Sequence, residues 1–296
     1  MIIEDSLYGE FSVSLLIKEL INSKPVERLK NIHQGGGIFL VNPALTLTRY
    51  EHSVGVLILI KMLGGTEIEQ VAGLLHDISH TAFSHVIDYI FENQEEDYHE
   101  GIYQSILSRS EIPDILKRHG YTLTDLLGKD FQILEQPLPN LCADRIDYAI
   151  RDLFYAGFIS MDDVQHFIAT LIIHNGRIMM TSVEKALWIQ EKYQILNQEY
   201  FGKKEHVYAN EKLTEILRHL LAEKVITKTD FEKDDKNLLA LIEADSFGKR
   251  SIAAIRALDG IAHYDAANFK LKHREIDPEL YIDGQYFRLS QVKNSA

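Results

Sequence analysis

The sequence is poor in the features that staple, anchor or export a protein. It contains a single cysteine, Cys142, so no disulfide can form within the chain, as is typical of proteins from a reducing compartment. Its longest apolar run, residues 54–60, is far too short to span a bilayer. Residues 1–10 are acidic and lack the basic-then-apolar pattern of a signal peptide. We therefore expect a cytoplasmic protein that does not associate with membranes.

Basic side chains are outnumbered by acidic ones. The chain has 31 Lys and Arg against 44 Asp and Glu, a formal charge of −13. An acidic protein repels a phosphate backbone at long range, so we expect no nucleic-acid partner. A small phosphorylated ligand is not excluded, because a metal ion and a few local basic groups reverse the sign inside a pocket. With 46% hydrophobic residues, a chain of this length is expected to bury a sizeable core.

Helical periodicity dominates the rest of the sequence. Apolar residues recur at helical spacing, and no repeat or low-complexity tract interrupts the pattern. The predicted helices span residues 11–21, 26–33, 49–63, 66–76, 82–91, 101–107, 141–155, 183–200 and 206–224. Three glycines at 35–37 break the pattern into a loop, which is not a Walker loop because no Gly-Lys-Ser/Thr follows.

Two short polar dipeptides predict β-hairpins. Asn175-Gly176 joins two β-favouring runs, and Asp283-Gly284 joins another two near the end of the chain. Both residues of such pairs tolerate the positive φ that tight hairpin turns require. The predicted strands span residues 170–174, 177–181, 280–282 and 286–289.

The predicted fold is therefore mainly α, a helical bundle with small β-hairpins and a helical C-terminal region. Residues 1–165 are expected to form a catalytic core. Residues 166–296 are expected to pack on this core as a hairpin, long helices and a terminal hairpin. The charged segment 230–236 is predicted to be a surface connection.

One ten-residue segment concentrates side chains that bind metals. Residues 76–85, at the end of a predicted apolar helix, contain His76, Asp77, His80 and His85. A mixed set of histidine nitrogen and aspartate oxygen suits borderline or hard divalent ions and needs no cysteine. Taken alone, a His-Asp pair is more often the polar cap of a helix end.

His52 and Asp144 extend this set from other parts of the chain. His52 lies at the start of the preceding buried helix, and Asp144 lies far downstream, again among apolar residues. Polar groups on buried helix faces are costly unless they are satisfied. One shared metal ion would satisfy both of these side chains together with His76 and Asp77.

The order H…HD…D of these residues resembles the signature of the HD superfamily of metal-dependent phosphohydrolases. The finer pattern is similar to its deoxynucleoside triphosphate triphosphohydrolase (dGTPase-like) branch. The matching pieces are Asp5…Gly9, Arg28-Leu29…Gln34, Arg49-Tyr50-Glu51-His52-Ser53-Val54-Gly55, His76-Asp77…His80…Phe83-Ser84-His85, His99-Glu100, Asp144-Arg145-Ile146-Asp147-Tyr148…Arg151-Asp152 and Arg274…Asp277-Pro278. They cover most of the chain in the family's order, so the resemblance implies an HD-domain helical bundle.

The resemblance also implies which residues hold the metal and which act on the phosphate. The implied ligands of one divalent ion (Mn, Fe, Co, Ni, Zn or Mg) are His52, His76, Asp77 and Asp144. His80 and His99 would line the phosphate site beside the metal. His85 would donate a proton to the leaving oxygen, a role that suits histidine because its charge changes near neutral pH.

Five further residues would contact the substrate by the same resemblance. Arg49 and Arg145 would contact phosphates, and Tyr148 would pack on the sugar. Asp152 would accept a hydrogen bond from the 3′-hydroxyl, and Gln34 would lie near the sugar. The motif at the N-terminus departs from the family, because Asp5-Ser6-Leu7-Tyr8-Gly9 stands where Asp-Pro-Ile/Val-His-Gly is usual.

Each of these roles has a structural alternative. Arg145 is equally compatible with an ion network with neighbouring aspartates, and Asp152 with an exposed face. Tyr148 is compatible with the core, His99 with a solvated position beside an acidic run, and Arg49 with the surface of a helix start.

The function indicated is hydrolysis of a dNTP to deoxynucleoside and triphosphate, with a small phosphorylated nucleotide as partner. A nucleoside monophosphate phosphatase or a phosphodiesterase would keep the fold and metal and change the substrate. The Gly-Tyr-Pro extension of HD-type cyclic-di-GMP phosphodiesterases is absent. A non-catalytic nucleotide-binding regulator is a third hypothesis, although such a protein need not keep His85. A homo-oligomer is compatible with the family.

Overall fold

The computed structural model describes residues 1–269, 271–272 and 274–293, which form mainly helices. The helices are α1 Leu15–Ile21, α2 Lys24–Arg28, α3 Arg49–Met62, α4 Glu67–Leu75, α5 Val86–Ile90, α6 Tyr98–Ser108, α7 Ile112–Arg118, α8 Ala143–Tyr155, α9 Met161–Ile168, α10 Val183–Ile195, α11 Lys204–Ala222, α12 Asp235–Ala244, α13 Ser246–Arg256 and α14 Leu289–Lys293. The mainly α fold with small β-hairpins is thereby confirmed.

The strands form two small sheets. The strands are β1 Ile2–Asp5, β2 Gly9–Ser12, β3 Leu171–His174, β4 Arg177–Met180, β5 Glu279–Ile282 and β6 Gln285–Arg288. β1 and β2 pair as an antiparallel hairpin, which was not among the predicted strands. The other four strands form one sheet in the order β3-β4-β5-β6.

Both predicted hairpins are confirmed, and their turns have the expected backbone. Asn175 and Gly176 have φ of 53° and 77°, and Asp283 and Gly284 have φ of 51° and 78°. Two successive positive φ values match the right-handed twist of the flanking strands. The two hairpins join through parallel pairing of β4 with β5, at Met180 and Leu280, which brings the end of the chain back to its middle.

Helix α3 lies at the centre of the bundle. Its start is a capping box, in which the Thr48 hydroxyl accepts from the Glu51 amide and the Glu51 carboxylate accepts from the Thr48 amide. Every residue from 52 to 60 is buried, as expected of a helix that is apolar all round. At Gly55 a Cβ would lie 2.0 Å from Arg151 Nη2, so only glycine lets α8 approach this closely.

The segment before α5 is not the helix that was predicted from residue 82. Helix α5 begins only at Val86, because Phe83 and Ser84 have φ of 60° and 52°, in the left-handed region. We call residues 76–85, between α4 and α5, the histidine loop. Its conformation comes from long-range contacts, which override the local helical pattern.

Other differences from the predicted elements are smaller. The helix predicted from residue 11 begins at Leu15, because Phe11 pairs in β2. The helix predicted for 26–33 is shorter and ends in a 3₁₀ turn at Leu29–Asn31. The helix predicted for 183–200 continues beyond α10 as a π-helix, Leu196–Phe201.

The prediction that segment 230–236 is a surface connection is wrong for two of its residues, Phe231 and Asp235. Phe231 is fully buried in a 3₁₀ helix, and Asp235, the first residue of α12, is only 2% exposed. The charged residues around these two misled the prediction, because all of them are at least partly exposed whereas Phe231 and Asp235 are buried.

Two apolar clusters hold the chain together. The larger one surrounds α3, α4, α8 and α10, and the smaller one joins α5 to α11, α12 and α13. Each cluster contains residues from both sides of position 165. The division into 1–165 and 166–296 stays a prediction. Among the described residues, each helix is too short or too polar to cross a bilayer.

Candidate metal centre and active site

The four side chains expected to bind metal converge at the ends of three helices. His52 lies near the start of α3, His76 and Asp77 directly follow α4, and Asp144 lies in the first turn of α8. His52 Nε2 lies 3.0 Å from Asp144 Oδ1 and 3.2 Å from His76 Nε2. The Asp77 carboxylate lies 3.4 Å from His76 Nε2 and 3.7 Å from His52 Nε2.

These separations suit a shared cation. Two atoms bound at right angles to one ion at about 2.1 Å lie about 3.0 Å apart. The far side of each imidazole is also occupied, because His76 Nδ1 lies 2.7 Å from the Gly73 carbonyl and His52 Nδ1 lies 2.8 Å from Asp147 Oδ2. Both acceptors place the ring proton on Nδ1, so a neutral ring presents the Nε2 lone pair to the cluster. The donor set therefore fits a divalent metal.

The electrostatics of the cluster also favour a positive charge at its centre. Burial opposes a charge on His52, but Asp144 and Asp147 outweigh it and raise the pKa of His52 to about 10. Burial raises the pKa of Asp144, but hydrogen bonds from His52 and His76 outweigh it and hold that pKa far below its usual range. A proton and a metal ion would therefore compete for the same position.

A buried ion network stands behind His52. Asp147 accepts hydrogen bonds from Arg151 Nε at 3.0 Å and from the Tyr8 hydroxyl at 2.8 Å, besides its contact with His52. Arg151 Nη2 also lies 3.0 Å from Asp5 Oδ2. Asp147 and Arg151 had no role assigned to them from the sequence. Their i, i+4 spacing on α8 was the available signal, but their contacts with Asp5 and Tyr8 required the fold.

A second group of polar side chains adjoins Asp77. Arg49 Nη1 lies 2.8 Å from Asp77 Oδ2, and His80 Nε2 lies 3.2 Å from Asp77 Oδ1. The rings of His80 and His99 stack with centroids 3.9 Å apart. Asp77, His80 and His99 are also close enough to hold an ion. The guanidinium of Arg49 already faces that carboxylate, so this group suits an anion better than a second metal.

His85 completes this group from the end of the histidine loop. Its ring centroid lies 5.0 Å from that of His80 and 5.5 Å from that of His99. Its Nδ1 contacts Asp88 at 3.1 Å, and its side chain is 29% exposed, more than that of His80 at 3%. Burial depresses the pKa of His80 strongly and that of His99 to about 3, so both are neutral hydrogen-bonding groups at neutral pH.

Three of the candidate metal ligands, His76, Asp77 and Asp144, and the histidines His80, His85 and His99 face one cavity of about 290 Å³. Every side chain singled out from the sequence lies on its wall except His52, which is fully buried directly behind. The residues on the wall are Gln34, Arg49, His76, Asp77, His80, His85, His99, Asp144, Arg145, Tyr148 and Asp152. The fold therefore brings together all twelve side chains that the resemblance selected.

Four residues on this wall carry buried polar atoms without a hydrogen-bond partner among the described residues. These atoms are Gln34 Oε1, His99 Nδ1, Arg145 Nε and Asp152 Oδ1. Buried polar groups normally have partners, so such atoms mark places where a ligand's donors and acceptors fit. The two oxygens, of Gln34 and Asp152, are acceptors. The other two atoms are an imidazole nitrogen of His99 and a guanidinium nitrogen of Arg145, so the set suits a polar ligand.

For four of the side chains that line the cavity, the structure does not show the structural alternative considered from the sequence. Arg145 donates to the backbone carbonyls of Gln136 and Asn140 rather than to neighbouring aspartates. Asp152 is 3% exposed, not on an open face, and burial raises its pKa to about 7. The ring of His99 is stacked rather than solvated. Arg49, only 6% exposed, is not a surface residue either.

Several residues of the cavity wall had no assigned role. Arg274 pairs with Glu96, whose other carboxylate oxygen lies 3.4 Å from the Tyr89 hydroxyl. Lys272 donates to the Glu95 carbonyl at 2.7 Å. Arg274 was part of the matching motif, whereas the pairing of a C-terminal arginine with a glutamate before α6 had no signal in the sequence.

The family model described as the HD domain matches residues 49–152, the stretch that carries the four candidate ligands. YdhJ of Bacillus subtilis (strain 168) is 44% identical over 300 residues, covering 99% of this chain and 92% of that protein. The metal-dependent phosphohydrolase cns2 of Cordyceps militaris is 31% identical over 298 residues, covering 96% of this chain and 86% of that protein. The chain therefore belongs to the HD-domain family of metal-dependent phosphohydrolases, as the motif order predicted.

Two further similarities differ in reach. A solved structure of a hypothetical protein from Aquifex aeolicus superimposes with a TM-score of 0.68 at 25% identity, covering 88% of this chain and 76% of that one. The deoxynucleoside triphosphate triphosphohydrolase SAMHD1 of Danio rerio is 33% identical over 105 residues, which is 30% of this chain and 17% of that protein. The Aquifex aeolicus structure supports the fold over 88% of this chain, whereas the similarity to SAMHD1 is local.

Proposed function

We propose that this phosphohydrolase converts a deoxynucleoside triphosphate to deoxynucleoside and triphosphate, using one divalent metal ion. One observation carries the proposal: His52, His76 and Asp144 are close enough to share one ion, Asp77 lies 3.4 Å from His76, and the adjoining cavity wall also holds three histidines and Arg49. The local similarity to a dNTP triphosphohydrolase supports the choice of substrate. The single buried Cys142 supports a cytoplasmic location. A homo-oligomer stays an expectation.

The metal, one of Mn, Fe, Co, Ni, Zn and Mg, would be held by His52, His76, Asp77 and Asp144. When bound, such an ion supplies Lewis acidity, which lowers the pKa of water and polarises a phosphoryl oxygen. The Arg49–Asp77 pair, at 2.8 Å, places a fixed positive charge beside this position. Charge that develops on the phosphate in the transition state is stabilised best by such preorganised groups.

The three histidines would act on the two sides of the bond that breaks, His85 on the leaving oxygen and His80 and His99 on the phosphate. Hydrolysis forms a bond from a water oxygen to the α-phosphorus and breaks the bond from that phosphorus to O5′, which must gain a proton. His85 is the exposed member of the three and is oriented by Asp88, so it is the proton donor to O5′. His80 and His99 are neutral and offer ring N–H groups to the phosphate oxygens.

The sugar would lie at the opposite wall. Tyr148 presents its ring there and is held by a hydrogen bond between its hydroxyl and that of Tyr193. Asp152 Oδ1 and Gln34 Oε1 are acceptors without partners among the described residues. A hydroxyl donor on a ribose ring satisfies such acceptors, whereas an apolar group would leave them unpaired. Arg145, fixed to backbone carbonyls, presents its remaining donors to the phosphate chain.

The test is a product screen with purified protein, each of the four dNTPs and each of the six metals. We expect release of intact triphosphate in the presence of at least one metal, and its loss in the double variant His76→Ala/Asp77→Ala. Release of inorganic phosphate from a mononucleotide instead would establish the monophosphatase alternative. Nucleotide binding without turnover under every metal would indicate a regulator and would overturn the proposal.

A further inference from the structure

The backbone of the histidine loop is held in a conformation that its own residues do not favour. Phe83 and Ser84 both lie in the left-handed region, with φ of 60° and 52°, and neither is a glycine. Single residues adopt this region at a cost, and two in succession persist only when the surroundings determine them. These two residues immediately precede His85, so whatever fixes them also fixes the position of that imidazole.

The surroundings that fix the loop come from outside the residues matched by the HD domain. The Ala82 amide donates to the Phe231 carbonyl at 2.8 Å, and the Phe83 amide donates to Asp235 Oδ1 at 2.6 Å. Arg28 joins the same segment to the start of the loop, because it donates to the carbonyls of Lys233, Ile78 and His80. Residues 231–235 therefore supply hydrogen-bond partners that hold the backbone of the histidine loop in place. We call these residues the template.

The second oxygen of Asp235 extends this template toward the phosphate site. Asp235 Oδ2 accepts from the His33 amide at 2.8 Å and from its ring Nδ1 at 2.7 Å. The carbonyl of His33 accepts from the Ser84 hydroxyl at 2.7 Å, and that hydroxyl accepts from Arg49 Nε at 3.0 Å. One carboxylate therefore connects both positive-φ residues and, through Ser84, the arginine beside the metal cluster.

Asp235 itself does not touch the cavity. It is 2% exposed, does not lie on the cavity wall, and has both oxygens engaged by the contacts above. A carboxylate is costly to bury, even when it is hydrogen-bonded, unless its surroundings use its charge and geometry. Here the three N–H donors come from two loops that are distant in sequence, so the carboxylate fixes their relative position.

We propose that Asp235 is a positioning residue for His85 and Arg49, so that a residue of the C-terminal region sets the catalytic geometry of the HD domain. This inference rests on the proposed function only for the role of His85. An amide at position 235 keeps the size of the side chain but turns one acceptor into a donor. That donor would face the amide of Phe83 or of His33, and the Phe83-Ser84 turn would relax.

The experiment compares Asp235→Asn with Glu243→Gln, a carboxylate-to-amide change on the exposed side of the same helix. Glu243 pairs with Arg256 at 2.9 Å, with side chains 38% and 48% exposed, and such exposed pairs contribute little. For Asp235→Asn we expect kcat per bound metal to fall about 10²-fold, the cost of misplacing a catalytic group by about 1 Å, with KM and metal affinity changing much less. Glu243→Gln should match wild type.

A second comparison separates positioning from general damage. If Asp235 acts through His85 and Arg49, Asp235→Asn should cost less than about 3-fold when introduced into the double variant His85→Ala/Arg49→Ala, because coupled residues are not additive. Equal costs in both backgrounds would overturn the proposal, as would wild-type kcat in Asp235→Asn.

A measurement that does not depend on activity tests the positioning role of Asp235 even if the proposed substrate is wrong. Amide hydrogen exchange of residues 78–90 should be at least about 10-fold faster in Asp235→Asn than in Glu243→Gln if the loop has lost its template. If wild type releases no triphosphate but the loop exchanges faster, the proposed function is wrong and the positioning role stands. Unchanged exchange in Asp235→Asn would contradict the positioning role whatever the substrate.

Discussion

The two ends of the cavity differ in how their polar groups are satisfied. At the metal end, His52 and His76 each use Nδ1 in a hydrogen bond, and their Nε2 atoms meet the carboxylates of Asp77 and Asp144. At the other end, side chains of Gln34, Arg145 and Asp152 keep polar atoms without partners among the described residues. His99, between the two ends, does so as well.

This difference indicates how the two ends work. Side chains already held by partners need little rearrangement to bind an ion, so the metal end is preorganised. Unpartnered buried atoms cost free energy in the absence of a ligand and regain it when a complementary ligand binds. We therefore expect changes at the metal end to reduce metal affinity, and changes at the other end to alter substrate binding or pH dependence while the metal stays bound.

The largest expected effect comes from removing a metal ligand. Asp144→Asn replaces a charged oxygen 3.0 Å from His52 Nε2 with an amide. We expect metal affinity to fall by more than about 10²-fold, beyond the range typical of outer-sphere changes, and turnover to fall with it. Calorimetric titration with Mn²⁺ measures this. Asp162→Asn, on the exposed start of α9, is the matched control, and equal affinity in both variants would remove Asp144 from the site.

A smaller effect is expected at Asp147, which contacts the candidate ligand His52. Asp147→Asn weakens the contact that orients His52 and leaves Arg151 with less compensation. We expect metal affinity to fall by about 10–100-fold. The free energy of unfolding should also fall, by about 3 kcal/mol, because the buried guanidinium of Arg151 loses one of its two carboxylate partners. Denaturant unfolding of the metal-free protein measures the second effect, and an unchanged midpoint would mean that the network is not stabilising.

At the other end, Asp152 should affect the pH dependence of stability. Burial raises its pKa to about 7, so between about pH 4 and pH 7 the folded protein keeps a proton that the unfolded chain releases. Stability should therefore decrease as pH rises through this window. Asp152→Asn should remove roughly 2 kcal/mol of that decrease, with metal affinity unchanged. Unfolding curves at pH 5 and pH 8 test it, and parallel pH profiles for wild type and variant would contradict it.

The smallest effect is expected at Tyr8, where the sequence departs from its family. Tyr8→Phe removes the hydroxyl that donates to Asp147 Oδ1 at 2.8 Å but keeps the ring. We expect a loss of about 1 kcal/mol in unfolding free energy, the typical value for one hydrogen bond. Metal affinity should change by less than about 3-fold, because the His52 contact with Asp147 remains. A change as large as that of Asp147→Asn would show that Tyr8 controls the network.

Local patterns in the sequence predicted the parts of the fold that local physics determines. α4 begins after Thr66 as expected, and both hairpins turn at the predicted Asx-Gly pairs. The twelve site residues were selected by the order of motifs, and the cavity contains eleven of them with His52 directly behind. His and Asp residues that lie among apolar neighbours in a predicted helix indicate a site. Such neighbours are typical of a buried face, where a polar side chain is costly unless it has a partner.

The parts that could not be predicted depend on contacts distant in sequence. The charges around Asp235 indicate a solvated loop, and only the approach of the histidine loop shows that this carboxylate is buried. The helix predicted from residue 82 fails for the same reason, because Phe83, whose amide donates to Asp235, has positive φ, as does Ser84. The network of Arg151 with Asp5 joins residues that no spacing rule relates.

The most direct measurement is anomalous diffraction at the manganese edge from crystals of the Mn²⁺-loaded protein. We expect one peak about 2.0–2.3 Å from His52 Nε2, His76 Nε2 and the carboxylates of Asp77 and Asp144. A peak among Asp77, His80 and His99 instead, or a peak that leaves out His52 and Asp144, would contradict the account.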